Sequence, residues 1–146
     1  MKICIVSSCG GHLTEVRCLE NIYKKYEHFF VINQKLDISN EKDKIYFIKH
    51  SERDINFIIN LFEAFWILWK EKPNFLLSTG AGPIVPFALI SKFFFQCNII
   101  YIESISRVSI PSLTGRIMYK LADHFLYQWE SLEKYFPKGN YVGTLL

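Results

Sequence analysis

The sequence predicts an α/β domain built on a parallel sheet with helices on both faces. Three observations carry that expectation. Short apolar runs alternate with longer segments of helical periodicity, which is the pattern of βαβ units. The runs are continuously apolar, as in strands buried on both faces. Polar or glycine-bearing residues follow several runs directly, as they do in the loops at the carboxyl edge of such a sheet. With 146 residues the chain has the length of one domain, residues 1–146, with a core of its own.

Each element has its own signal. Lys2–Ser7 (KICIVS) is rich in β-formers and reads as the first strand. Leu13, Val16, Leu19, Ile22 and Tyr23 recur at helical spacing and predict one helix over Leu13–Lys25. His28–Asn33 (HFFVIN) and Ile45–Lys49 (IYFIK) are the second and third strands. The polar, charged stretch Lys35–Lys44 before the third reads as a mobile loop. Asp54 can cap a long helix that runs to about Lys70. Asn74–Ser78 (NFLLS) is the fourth strand, and Pro83, suited to a first helical position, opens a helix through about Phe94. Asn98–Glu103 (NIIYIE) is the fifth strand, Ser112–Leu121 a helix, His124–Tyr127 the sixth strand and Tyr141-Val142 a last short one. No internal repeat, low-complexity segment or linker interrupts the series, so the expected architecture is a Rossmann-like parallel sheet.

Composition narrows the function. Hydrophobic residues make up 50% and charged residues 21%, which excludes a disordered chain. Aromatics at 16% leave more apolar surface than a small domain hides, so part of it is expected to meet a membrane or a partner. Net charge is +3, from 17 Lys+Arg against 14 Asp+Glu, with no basic block, so nucleic acid is not an expected partner. Cys4, Cys9, Cys18 and Cys97 lack metal or redox spacing, and Met1-Lys2 leads straight into a strand with no signal peptide. The thiols are expected to be reduced and the chain cytoplasmic. Pro73–Ser91 carries no charge, but Pro73, Gly80, Gly82, Pro83 and Pro86 divide it into strand, loop and helix start, which argues against a membrane span. Ile55–Trp69 carries Glu63 and is too short to span comfortably; lying on a membrane stays open.

Chemistry is expected after the first, fourth and fifth strands. Ser8, Gly10, Gly11 and His12 follow the first; Thr79, Gly80 and Gly82 follow the fourth; Glu103 and Arg107 follow the fifth. Two glycine loops that each feed a helix amino terminus, with Arg107 nearby, suit a diphosphate; one loop alone would be explained by tight turns. The first loop is neither a dinucleotide fingerprint nor a Walker loop. A thiolate phosphatase would need Arg six positions after Cys9, and that position is Glu15, which repels phosphate. His12 can act as a general base or donate to a phosphate oxygen. Glu103 can bind a sugar hydroxyl, orient His12 or pair with Arg107. His28, His50 and His124 sit at strand or loop edges and carry no expected chemistry. No cluster has metal spacing, so no metal is expected.

The ordered segments S-S-C-G-G-H-L-T-E, S-T-G-A-G-P-I-V-P, I-E-S-I-S-R-V-S-I-P-S-L-T-G-R-I-M-Y-K-L-A-D-H-F, Y-Q-W and Y-V-G-T-L-L resemble bacterial polysaccharide-biosynthesis subunits of the PssD/CpsF type. These are relatives of the Alg-fourteen subunit of the eukaryotic dolichol-linked N-acetylglucosaminyltransferase. The resemblance covers essentially the whole chain. It implies the amino-terminal half of a GT-B glycosyltransferase, split from a catalytic partner that resembles the carboxyl-terminal half and holds the UDP-sugar. It is also similar to the amino-terminal domain of the transferase that makes lipid II, whose Gly-Gly-His loop faces the acceptor diphosphate. The pair would move a sugar onto a polyprenyl-diphosphate-linked saccharide in capsular or exopolysaccharide synthesis, with no tightly bound cofactor. By position, Ser8, Gly10, Gly11, Thr79, Gly80, Gly82 and Arg107 would hold the diphosphate, and His12 or Glu103 would serve as base unless the base lies on the partner. A non-catalytic anchor for the partner is the alternative.

Eukaryotic members carry an amino-terminal membrane helix, whereas this strand begins at residue 2. Attachment at the inner face of the cytoplasmic membrane would then use a surface patch or the partner. Lys92, Phe93, Phe94 and Phe95, with Trp66 and Trp69, are the candidate patch. The apolar carboxyl end, Leu145 and Leu146, is the candidate docking segment for the partner.

Overall fold

The computed structural model describes residues 1–33, 43–49 and 56–145. Seven strands form one parallel sheet: β1 (Lys2–Ser7), β2 (Glu27–Ile32), β3 (Ile45–Phe47), β4 (Phe75–Ser78), β5 (Asn98–Ile102), β6 (His124–Tyr127) and β7 (Asn140–Tyr141). Their order is β3-β2-β1-β4-β5-β6-β7. β1 lies inside the sheet, third in this order, with Ile3 opposite both His28 and Phe75. The chain builds outward from β1 to β3, then returns to begin β4 on the other side. Loops leaving β1 and β4 therefore diverge, and a crevice opens between them at the carboxyl edge.

Alternation along the strands feeds two cores. Cys4 and Val6 of β1, Phe29 and Val31 of β2 and Leu76 of β4 face one side. There they pack on α3 (Asn56–Glu71), α4 (Ile84–Ile90) and α5 (Leu113–Leu121) through Leu68, Phe87 and Met118. Ile3, Ile5, Phe30, Ile32 and Leu77 face the other side, against α1 (Gly11–Arg17) and α2 (Glu20–Tyr23) through Leu13, Val16 and Tyr23. At the amino edge Glu71 ends α3, where it meets Lys2 Nζ at 2.7 Å, Lys44 Nζ at 2.6 Å and the Tyr46 hydroxyl.

The strands lie where the sequence places them, with β3 shortened to Ile45–Phe47 and the last strand moved to Asn140–Tyr141. Two helices differ. The single helix expected over Leu13–Lys25 breaks at Cys18-Leu19, where Leu19 N bonds Val16 O and Ile22 N bonds Leu19 O, three residues back. The tighter turn buries Tyr23 and leaves Ile22 in solvent. The helix expected through Phe94 ends at Ile90 and widens into a π-turn over Ser91–Phe95. Gln96 closes that turn in the left-handed region at φ 54, and its N–H donates to Ser91 O. The widening brings Phe93 and Phe94 to the surface, at 76% and 63% exposure. Along α3, Phe62, Phe65, Trp66 and Trp69 are also exposed, and Phe65 meets Phe94 edge to face. Among the described residues no helix is long and apolar enough to cross a membrane. Asp54, His50, Leu146 and most of Lys35–Lys44 lie outside the described residues.

Candidate functional site

The carboxyl edge changes character abruptly. Ser7 ends β1, Asn33 follows β2, Ser78 and Thr79 close β4, and Glu103 and Ser104 follow β5, all of them buried. Apolar strands therefore terminate in a polar shelf at the crevice between β1 and β4. Above it opens a cleft of about 730 Å³, lined by Ser8, His12 and Asn33 on the β1–β2 side and by Ala81, Gly82 and Pro83 after β4. Ser104, Ser106, Arg107 and Ser112 add polar groups from the loop after β5, while Phe57, Val85, Leu113 and Ile117 make an apolar wall.

The loop after β1 turns on two exposed glycines. Gly10 caps α1 at φ 95, and a Cβ at Gly10 or Gly11 would meet nothing within 4 Å. His12 is then pinned to the β4 loop twice. Its Nδ1 lies 3.2 Å from the Thr79 carbonyl, and its own carbonyl accepts the Thr79 hydroxyl at 2.8 Å. Gly80, at φ 128, packs against the imidazole so closely that an added Cβ would sit 2.5 Å from the ring. A glycine is required there for both reasons.

The sequence-nominated residues thus separate into four groups. Ser8, His12, Gly82 and Arg107 line the cleft. Thr79 and Gly80 lie behind His12 and hold it, while Gly10 and Gly11 form the exposed turn at the start of α1. Glu103 does not line the cleft: it is fully buried, its Oε2 accepts from Ser112 Oγ at 3.2 Å, and its Oε1 accepts from Ser104 N at 3.2 Å. Burial pushes its carboxyl up, against the lowering pull of Ser112, Ser104 and the Arg107 charge. Gly115 makes this seat possible, since a Cβ there would fall 1.5 Å from Glu103 Oε2.

Glu15 occupies a place the sequence did not suggest. Rather than facing the loop as a charge that repels phosphate, its side chain is 4% exposed and runs under the β5–α5 loop. Its Oε1 accepts from Ser104 Oγ and Ile105 N, each at 2.9 Å. The same β5–α5 loop is held by Trp129, whose indole N–H donates to Ile105 O at 2.7 Å. Ser104 and Ser106, which follow the fifth strand in the sequence, line the cleft as well, joined by Asn33 just after β2 and Ser112 at the cap of α5. Among the described residues no group of three or more His, Cys, Asp or Glu is placed to hold a metal.

Leu145 is half-buried against the core under α1, and its N–H donates to Gln128 Oε1 at 2.8 Å. The end of the chain is thus partly packed on its own domain. Gln128 Nε2 in turn donates to Glu103 O at 3.1 Å, which ties this end to the cleft floor.

A family model described as oligosaccharide biosynthesis protein Alg14 like matches residues 51–145. The chain belongs to the Alg14-like family. Human UDP-N-acetylglucosamine transferase subunit ALG14 is 24% identical over 180 aligned positions, which cover 100% of this chain and 83% of the human protein. Among solved structures, Acinetobacter baumannii MurG superposes on this Alg14-like chain with a TM-score of 0.80 at 12% identity, covering 98% of this chain and 45% of that one. A Rickettsia bellii UDP-N-acetylglucosamine 2-epimerase gives 0.78 at 13% identity, covering 99% and 45%. The Alg14-like chain spans less than half of either solved chain, and at these identities the likeness concerns the fold, a Rossmann-like parallel sheet of the GT-B kind.

Proposed function

We propose that this chain is the acceptor-binding subunit of a two-component glycosyltransferase. Its partner resembles the carboxyl-terminal half of a GT-B enzyme and holds the UDP-sugar. The pair transfers the sugar to a polyprenyl-diphosphate-linked saccharide at the inner face of the cytoplasmic membrane, in the manner of the PssD/CpsF-type subunits of capsular and exopolysaccharide synthesis. One observation carries the reading: the cleft at the β1–β4 crossover gathers Ser8, His12, Gly82 and Arg107, next in sequence to the exposed glycine turn Gly10-Gly11. Backbone N–H groups and a guanidinium are donors suited to a diphosphate. Membership of a family whose human relative is named as a UDP-N-acetylglucosamine transferase subunit supports it and makes that sugar nucleotide the first donor to test.

In the reaction, the acceptor hydroxyl attacks the anomeric carbon, UDP departs, and a base takes the hydroxyl proton. Of the two candidate bases, His12 lines the cleft and Glu103 is buried beneath α5. The proposal therefore gives the proton to His12 and has Glu103 hold Ser112 and the start of α5. Of the patch nominated from the sequence, Lys92, Phe93, Phe94, Trp66 and Trp69 are exposed while Phe95 is partly buried against the core; the exposed members, with Phe62, form the proposed membrane-facing patch.

The test is sugar transfer from a panel of UDP-sugars to a polyprenyl-diphosphate monosaccharide, by this chain, by the partner and by both. Transfer is expected only from the mixture. His12→Ala should lower it by roughly 100-fold or more without weakening the complex. Equal transfer by the partner alone would reduce this chain to an anchor.

A further inference from the structure

Glu15 and His12 lie three residues apart in α1, and Glu15 carries a buried oxygen with no hydrogen-bond partner. Glu15 Oε1 is fully engaged by Ser104 Oγ and Ile105 N. Its Oε2 is buried with no hydrogen-bond partner, 3.9 Å from His12 Nδ1. A buried carboxylate oxygen without a donor is costly, so its placement calls for a reason.

The imidazole supplies one. Two oxygens look at Nδ1: the Thr79 carbonyl at 3.2 Å and Glu15 Oε2 at 3.9 Å. A carbonyl and an ionised carboxylate are acceptors and have no proton to give. A lone pair on Nδ1 would face both; a hydrogen on Nδ1 is attracted by both. In neutral histidine only one ring nitrogen carries a hydrogen, so Nε2 then bears the lone pair.

We infer that Glu15 is a positioning residue that holds His12 in the Nδ1–H form, leaving the Nε2 lone pair free to accept a proton. The inference deepens the reading of His12 as the base and rests on it for its catalytic meaning, but the tautomer itself is a property of the chain alone. Glu15 touches no reacting atom. It acts through His12, and through Ser104 and Ile105 it also sets the distance from α1 to the β5–α5 loop.

Long-range proton–nitrogen NMR spectra of the full chain, at a pH where the ring is neutral, read the tautomer directly. The unsubstituted chain should show His12 predominantly as Nδ1–H. In Glu15→Gln the oxygen keeps its bonds to Ser104 and Ile105, which turns the amide N–H toward Nδ1; His12 should move toward the Nε2–H form. Ser104→Ala loosens the same contact and keeps the carboxylate, so its His12 spectrum should stay like that of the unsubstituted chain. An Nε2–H ring in the unsubstituted chain overturns the inference, and does so even where Glu15→Gln fails to fold. An unchanged ring in folded Glu15→Gln, or an equal shift in Ser104→Ala, overturns it as well. In the reconstituted pair Glu15→Gln should lower kcat by about 10-fold or more while the acceptor KM holds. A shifted tautomer with full kcat would uphold the positioning role and defeat the reading of His12 as base.

Discussion

Glu71 and Glu103 are both withdrawn from water, at opposite edges of one sheet, and their surroundings are opposite in kind. Burial alone would raise the Glu71 carboxyl, but hydrogen bonds from Lys2, Lys44 and Tyr46 outweigh it and bring the group down to about 2. Glu103 meets a hydroxyl and an amide rather than an ammonium, so burial prevails and its carboxyl rises. The amino edge is thus closed by matched charge. The carboxyl edge keeps buried carboxylates without a matching ammonium, with an unpartnered oxygen on Glu15. Poorly matched polar groups concentrated at one edge are what a working site looks like beside a purely structural one.

The harshest way to break this contrast is Gly115→Ala. The added methyl needs the space of Glu103 Oε2, so α5 must lift or the carboxylate must leave its seat. Urea unfolding should show a loss of about 3 kcal/mol, as for overpacking of a tight contact. The double variant Gly115→Ala with Glu103→Ala should cost less than the sum of the two singles, because the second change removes what the first collides with. Additive losses would show that the contact does not govern the site.

Next in size is Glu71→Gln. A carboxyl that folds at about 2, below its ordinary 4.5, stabilises the fold fully at neutral pH. That contribution fades as pH falls through the window between those two values. The substitution should cost about 2 kcal/mol at neutral pH, with screening by solvent taken into account, and almost nothing at the acid end. Chemical unfolding across that range measures it; a loss independent of pH would show that packing rather than charge holds this edge.

Glu103→Gln should behave in the opposite sense. A raised carboxyl favours the protonated form, so its stabilising contribution belongs to acid pH and is lost as pH rises through the raised value. The neutral substitute should match the parent within about 1 kcal/mol at neutral pH. A loss as large as that of Glu71→Gln would erase the distinction between the two edges.

The smallest effect on folding should come from the exposed aromatics. Phe62→Ser and Phe94→Ser each remove a side chain that stands mostly in solvent, so stability should change by less than about 0.5 kcal/mol. Sedimentation with anionic lipid vesicles should nevertheless fall several-fold. Undiminished sedimentation would take the membrane role from this patch.

Much of the fold was legible because parallel strands buried on two faces announce themselves as apolar runs; β1 and β6 fall on their expected residues. Turns inside helices were not. Leu13 through Tyr23 keeps helical spacing across the break at Cys18-Leu19, because both pieces bury the same face. The Phe93–Phe95 run reads as more helix, while the wider turn at Ser91 depends on a serine hydroxyl that accepts from Cys97 N at 3.2 Å. In the site, position after a strand identified the loops but not the direction of each side chain. Glu103 ends an apolar strand and so was expected to face the cleft, yet it lies under α5 because Gly115 leaves room. Glu15 carries a signal in its spacing of three from His12, which places both side chains on one side of α1.

The crossover from β3 through α3 to β4 also orders events in time. The interior strand β1 cannot acquire its second neighbour until Phe75–Leu77 has been made, about seventy residues after Ile3. At bacterial or eukaryotic synthesis rates that interval is on the order of several seconds. Through it one edge of β1 stays open, and the aromatic stripe of α3 is made before β4, β5, β6 and β7. Pairing so distant in sequence is intrinsically slow to form. The nascent half-domain therefore presents its exposed aromatic helix before its sheet is complete, at the stage when aggregation threatens most.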